Sequence, residues 1–168
     1  MPEPQLPDVE HLIHQLAAQI RERLRGDFAL VGIHTGGVWV AERLHAALSH
    51  PEPIGTLDIS FYRDDFSRIG LHPEVKPSNI PFDVDGRAVL LVDDVLYTGR
   101  TVRAAMNELF DYGRPGSIEL AVLIDRGGRE LPIAAQFIGA QLELEEQQNI
   151  QLDRAENGDL KLSLHAQT

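Results

Sequence analysis

Two adjacent carboxylates, Asp93 and Asp94, directly follow the apolar run 88–92, and Thr98-Gly99-Arg100-Thr101 comes shortly after them. A short continuous apolar run bounded in this way is expected in the middle of a parallel sheet covered on both faces, which places the acids at a strand's carboxyl end. In open α/β sheets ligands bind in the crevice beyond such strand ends. After the turn, Val102, Ala105, Met106, Leu109 and Phe110 recur at helical spacing, with Gly113 as a stop. The turn is therefore a helix N-terminus. There the main-chain N–H groups lack intrahelical partners and the macrodipole adds roughly half a positive charge, which favours a phosphate. Gly99 permits close backbone approach, and Thr98 and Thr101 can add hydroxyl donors. The carboxylates would repel that phosphate, so they are expected to accept hydrogen bonds from sugar hydroxyls or to approach a metal ion. The chemistry that suits this order of residues is the holding of a sugar phosphate.

Other acid-rich or phosphate-binding patterns fit less well. A phospho-receiver pocket needs a further acid at a later strand end, where this chain reads Ala135-Gln136-Phe137-Ile138. Neither Gly-x-x-x-x-Gly-Lys-Ser/Thr nor Gly-x-Gly-x-x-Gly occurs.

The elements that must position these residues can be read from apolar spacing. Asp8 is a candidate N-cap for a helix with Val9, Leu12, Ile13, Leu16, Ile20 and Leu24 on one face, ending near Gly26. Residues 28–33 form a buried strand, and Gly36-Gly37 opens a second helix with Val38, Ala41, Leu44 and Leu48 inward, closed before Pro51. Leu57, Ile59 and Phe61 alternate with Asp58, Ser60 and Tyr62, as in a strand with one face covered and one open. Over 63–81 the apolar period disappears and Gly70, Pro73, Pro77 and Pro81 punctuate a long flexible loop. Residues 117–124 form a further buried strand with Asp125 at its end, so three strand ends converge on one side of the sheet. Residues 140–168 carry Glu143, Glu145 and Glu146, then a turn at Asn157-Gly158 and alternating Leu160, Leu162 and Leu164, read as a hood or C-terminal hairpin.

A chain of 168 residues with 43% apolar content is long enough for one domain with a substantial core, and no composition break divides residues 1–168. It has no cysteine, which excludes a disulfide framework and thiolate metal sites and suits a reducing compartment. No signal-peptide pattern and no membrane-spanning apolar run is seen, so a soluble cytoplasmic protein is expected. The formal charge of −11, from 26 acids against 15 bases, argues against strong non-specific nucleic-acid binding. His11, His14, His45, His50, His72 and His165 show no metal-ligand spacing, and no zinc site is expected.

Taken whole, residues 89–101 resemble the phosphoribosyl-diphosphate (PRPP) motif of the type I phosphoribosyltransferases: four apolar residues, two acids, then Thr-Gly-x-Thr. Three segments, Asp58-Ile-Ser-Phe-Tyr-Arg-Asp-Asp65, Asp94-Val-Leu-Tyr-Thr-Gly-Arg-Thr-Val-Arg103 and Leu123-Ile-Asp-Arg-Gly-Gly-Arg-Glu-Leu-Pro132, narrow the resemblance to the PyrR family. Its members are bifunctional pyrimidine operon regulators that are also uracil phosphoribosyltransferases. The resemblance spans about residues 12–139 and implies an α/β, type I phosphoribosyltransferase-like fold. That fold has a central, mainly parallel sheet flanked by helices, a small hood and a long flexible loop.

The resemblance also implies an enzyme that converts uracil and PRPP to UMP and diphosphate, with Mg²⁺ held mainly through PRPP and no dedicated protein ligands. Asp93 and Asp94 would meet the ribose hydroxyls, and Val95, Leu96, Tyr97, Thr98, Gly99, Arg100 and Thr101 would bind the 5′-phosphate. His34, Thr35, Gly36 and Gly37 would offer main-chain N–H groups to the departing diphosphate. Arg63, on a loop that includes Tyr62, Asp64 and Asp65 and closes over PRPP, would add charge. Ile124, Asp125 and Arg126 would read the base, while Arg129 and Glu130 could instead form an exposed ion pair.

Relatives resemble Lys-Thr-Arg-Gly at the diphosphate turn, where this chain has His34 for the Lys and Gly36 for the Arg. A charge-assisted hydrogen bond contributes about 1.5 to 3 kcal/mol, so PRPP binding or turnover is expected to be lower by an order of magnitude or more. The alternative function is a catalytically weak UMP- or PRPP-sensing regulator that binds pyrimidine-operon leader RNA. Gln15, Ala18 and Gln19 on the first helix offer RNA little, which leaves Arg21, Arg23, Arg25, Arg100 and Arg103, pooled in a homodimer or higher homo-oligomer.

Overall fold

The computed structural model describes residues 5–59 and 78–166. The elements are α1 (Val9–Arg23), β1 (Ala29–Ile33), α2 (Gly36–Leu48), β2 (Gly55–Leu57), β3 (Ala88–Leu96), α3 (Arg100–Phe110), β4 (Ser117–Asp125), β5 (Phe137–Gln141), β6 (Gln148–Arg154) and β7 (Leu160–Ala166). Five strands form a parallel sheet in the order β2-β1-β3-β4-β5, and β6 and β7 form a separate antiparallel pair.

Because successive strand side chains point to opposite faces, each apolar run supplies both layers. Leu30, Leu90, Val92, Ala121 and Leu123 face α1, α2 and the β6–β7 hairpin. Val31, Val89, Leu91, Leu120 and Val122 face α3 with Val102, Ala105 and Leu109. Register aligns these layers, with Leu30 beside Leu90 and Leu91 beside Leu120. Burying each of these leucine and valine side chains contributes about 1.5 to 3 kcal/mol.

The helices start and stop for local reasons. The Asp8 carboxylate accepts from the His11 N–H at 3.1 Å and caps α1, whose buried residues include Leu12, Ile13, Leu16 and Ile20. Gly26, at φ +92°, then turns the chain into β1. In the hairpin, Ile150, Leu152, Leu160 and Leu162 are buried against the α1–α2 layer, and Gly158 at φ +92° makes the turn. Among the described residues no helix is long and apolar enough to cross a membrane.

Four expectations change. First, β3 continues through the acids to Leu96, because Asp93 and Val95 still find partners opposite Val122 and Ile124. Second, β2 ends at Leu57, and Asp58 is 7% exposed instead of lying on an open face; its N–H donates to Ser78 Oγ at 2.9 Å. Third, Phe110 is 52% exposed, since the buried stripe of α3 ends at Leu109. Fourth, the segment read as a loop to 81 has already rejoined the sheet at Asn79, which exchanges main-chain hydrogen bonds of 2.8 and 2.9 Å with Thr56.

Candidate active site

The parallel order β1-β3-β4 brings three carboxyl ends side by side, so the turns that follow them share one rim. From β1 comes His34-Thr35-Gly36-Gly37, from β3 its last residues 93–96 with the 97–99 turn and the start of α3, and from β4 Asp125 and Arg126. The three groups picked out by residue type are therefore neighbours. Arg63, Tyr62, Asp64 and Asp65 lie outside the described residues.

Asp93 is 5% exposed; its Oδ1 accepts from the Asp94 N–H at 2.8 Å, and Asp94 Oδ1 accepts from the Val95 N–H at 2.8 Å. These bonds pin each carboxylate against its own backbone. The β1 turn packs tightly on the acids. A Cβ at Gly36 would collide with the Asp94 carboxylate, and one at Gly37 would stand 2.6 Å from the Val92 carbonyl oxygen and 3.0 Å from Asp93 Cα. The His34–Thr35 peptide bond is cis.

Two cavities meet at Asp93, Val95 and Thr101. One of about 400 Å³ lies between the β1 turn, Asp93, Asp94 and Thr101, and the hairpin adds Gln151 and Leu152 to its wall. A smaller one, about 110 Å³, is framed by Asp93, Thr98, Gly99, Thr101 and Val102 at the start of α3. Gly99 occupies the N-cap at φ +94°, a conformation that glycine adopts without steric cost, and Thr98 Oγ1 accepts from the Arg100 N–H at 3.2 Å. A helix N-terminus facing a small polar cavity, next to a larger cleft walled by carboxylates, can hold an anionic group on one side and a hydroxyl-rich ring on the other. Among the described residues no group of three or more His, Cys, Asp or Glu side chains could hold a metal ion.

At the end of β4, Arg126 is engaged within the protein. Its Nη2 donates to the Gln148 carbonyl at 2.9 Å, and the guanidinium stacks 3.9 Å above the Tyr97 ring. Arg129 and Glu130 do not pair with each other. Arg129 joins Asp125 at 2.6 Å, and Glu130 joins Arg100 at 2.9 Å.

Residue spacing missed Trp39, Gln151 and Leu152, all of which line the larger cleft. Trp39 is the one tryptophan of the chain and lies on the helix that the 34–37 turn opens, a signal that was available. Nothing local marks Gln151 or Leu152, since the docking of the hairpin decides their place.

The Gln19 amide, expected to offer a nucleic acid little, braces the sheet edge. Its Nε2 donates to the Ile138 carbonyl at 3.0 Å and its Oε1 accepts from the Ile138 N–H at 3.4 Å. Arg23 donates to the Gln136 carbonyl at 2.9 Å and lies over Phe137.

Comparison with known proteins places the fold and its relatives. The phosphoribosyl transferase domain family matches residues 5–152. Bifunctional protein PyrR of Nitrosococcus oceani is 52% identical over 158 residues, 90% of this chain and 89% of that protein. The PyrR proteins of Pseudomonas savastanoi pv. phaseolicola and Pseudomonas paraeruginosa are 53% and 54% identical, over 94% and 88% of this chain and 95% and 89% of theirs. Among solved structures, a hypoxanthine-guanine phosphoribosyltransferase from Bacillus anthracis superposes with a TM-score of 0.66 at 21% identity, over 84% of this chain and 85% of that one. A hypoxanthine phosphoribosyltransferase from Staphylococcus aureus does so with a TM-score of 0.66 at 22% identity, over 87% and 80%. At such identities the structural likeness concerns the fold alone.

Proposed function

This chain belongs to the phosphoribosyl transferase domain family and, within it, to the bifunctional PyrR proteins, and we propose on that premise that its cleft joins PRPP to uracil and that the nucleotide it holds serves pyrimidine-gene regulation. The protein is a pyrimidine operon regulator with uracil phosphoribosyltransferase activity. The observation that carries the site assignment is the packing of the 34–37 turn onto Asp93 and Asp94, immediately beside the N-terminus of α3.

In the reaction a uracil ring nitrogen forms a bond to the ribose anomeric carbon as the bond to diphosphate oxygen breaks and the nitrogen's proton leaves. Positive charge grows on the sugar and negative charge on the leaving group. Residues 95–101 hold the 5′-phosphate with main-chain N–H groups and the Thr98 and Thr101 hydroxyls. Asp93 and Asp94, held by their neighbours' N–H groups, accept from the ribose hydroxyls and place negative charge beside the developing cation. His34 to Gly37 present main-chain donors to the diphosphate, and Arg63 adds a cation. The β4 end, with Ile124, Asp125 and Arg126, faces the base. Mg²⁺ would accompany PRPP, held mainly through phosphate oxygens and water with no dedicated protein ligands, and would neutralise diphosphate charge when bound.

Turnover is reduced relative to relatives with Lys and Arg at positions 34 and 36, because the turn relies on main-chain donors and His34. A sensor of UMP or PRPP that acts on leader RNA is the second reading. RNA would meet Arg21, Arg23, Arg25, Arg100 and Arg103, pooled in a homo-oligomer; of these, Arg21 and Arg23 already donate to the Ala47 and Gln136 carbonyls and Arg100 pairs with Glu130.

The test is UMP formation by purified protein from uracil, PRPP and Mg²⁺. UMP production supports the enzyme; UMP binding without production favours the sensor, and neither outcome would refute the cleft. Absence of both would. Titration with a pyrimidine-leader transcript at two salt concentrations separates UMP-stimulated, competitor-resistant binding from sequence-blind retention.

A further inference from the structure

Every main-chain carbonyl from Leu96 to Thr98 is held by one segment, residues 126–131. The Arg126 N–H donates to the Leu96 oxygen at 3.0 Å, and those of Glu130 and Leu131 donate to the Thr98 oxygen at 2.9 and 3.1 Å. The carbonyl between them, that of Tyr97, is held by a side chain instead, Arg129 Nη1 at 2.8 Å. The same guanidinium donates through Nη2 to Asp125 Oδ2 at 2.6 Å and through Nε to the Ile133 carbonyl at 2.9 Å. Ile133 in turn lies against Gly99, where a Cβ would meet Ile133 Cγ1 at 3.0 Å.

In a planar trans peptide the C=O and N–H point in opposite directions. Drawing the carbonyls of residues 96–98 toward the 126–131 segment therefore turns the N–H groups of Tyr97, Thr98 and Gly99 away from it, as an anion site requires. Arginine's donors sit in a rigid planar fork, so a guanidinium bound to three acceptors fixes the angles among them. Here the acceptors belong to the phosphate loop (Tyr97), the end of the base-reading strand (Asp125) and the packing that closes on the helix N-cap (Ile133).

We infer that Arg129 is a positioning residue that sets the phosphate loop in register with the end of β4, so that affinity for a sugar phosphate depends on it through Tyr97 and Asp125. The inference rests on the reading of residues 95–101 as the 5′-phosphate site. The neighbouring Arg100–Glu130 pair is exposed on both sides and does not share this role.

Arg129→Lys keeps the charge and loses the fork, Arg129→Met loses both, and Glu130→Gln leaves the main-chain donors in place as a control. Each is titrated with UMP, ribose 5-phosphate and uridine, followed by the fluorescence of Trp39 in the cleft, with circular dichroism and melting to verify the fold. Expected is a loss of about 10- to 100-fold in affinity for UMP and ribose 5-phosphate in both Arg129 variants, with uridine changed by less than about threefold and Glu130→Gln like wild type. An equal loss for uridine, or no loss for the phosphate ligands, overturns the inference. If Arg129→Met does not fold, Arg129→Lys decides. Wild-type protein that ignores both UMP and ribose 5-phosphate would overturn the phosphate-site reading itself, a result visible before any variant is compared.

Discussion

The Asp94 carboxylate stands where a side chain at position 36 would begin, so in this chain Gly36 and Asp94 share one space, which a Cβ could enter only by moving the carboxylate. Turn and acid are thereby set as a unit. Gly36→Ala is expected to push the Asp94 carboxylate off its place and to lower kcat/KM for PRPP by about 10- to 100-fold in steady-state assays of UMP formation. Gly37→Ala meets main chain, the Val92 carbonyl at 2.6 Å, which cannot rotate aside. It is expected to destabilise the fold by about 1 to 3 kcal/mol in denaturant unfolding.

Replacing both acids, Asp93→Asn with Asp94→Asn, removes the negative charge beside the sugar while keeping side-chain size. UMP formation is expected to fall by about 100-fold or more. Single-turnover measurement at saturating PRPP checks this, and a variant with wild-type rate would remove the acids from the reaction.

Glu108 offers a pH test away from the acids. Burial is the main cause that raises its pKa above the ordinary 4.5, opposed by the hydrogen bond from Ser78 and assisted by Asp58 and Asp111. The folded state thus holds the proton more tightly than the unfolded chain. The associated stability is fully present below about pH 4.5 and is lost as pH rises through the raised folded value. Glu108→Gln keeps a neutral group at every pH. Denaturant unfolding across this window should show wild type losing stability relative to the variant as pH rises; parallel curves would contradict it.

Arg87 precedes β3 at the end of the sheet opposite the acids. It joins Glu52 at 2.8 and 3.2 Å and Asp27 at 3.0 Å, and these partners hold its pKa above the usual arginine value. Arg87→Met is expected to cost about 1 to 3 kcal/mol of stability. UMP affinity, measured by titration well below the melting temperature, should stay unchanged, since no group of the cleft is touched.

Much of the site was legible because its signals are local. A buried strand announces itself by consecutive apolar residues, as at 88–92, and a helix start by its glycine and hydroxyl turn, as at 98–101; both need only neighbours along the chain. The same holds for the Asp8 cap, the Asn157-Gly158 hairpin turn and the convergence of three strand ends, which follows once the strands are parallel. The run of acids at 93–94, however, says nothing about where pairing stops. That depended on Val122 and Ile124 across the sheet.

By itself, then, the order of residues determined the α/β class, the strand, acids and helix start of the 89–101 stretch and the family of the chain, since apolar period, turn type and motif spacing are properties of adjacent residues. Only the tertiary structure decided that Asp58 is buried against Ser78, that Arg126 stacks on Tyr97, that Arg129 binds Asp125 instead of Glu130, and that Gln151 and Leu152 wall the cleft. Each of these has a partner distant in sequence or one of several within reach. A polar side chain's role is fixed by the donor or acceptor that packing brings to it, which no local pattern records.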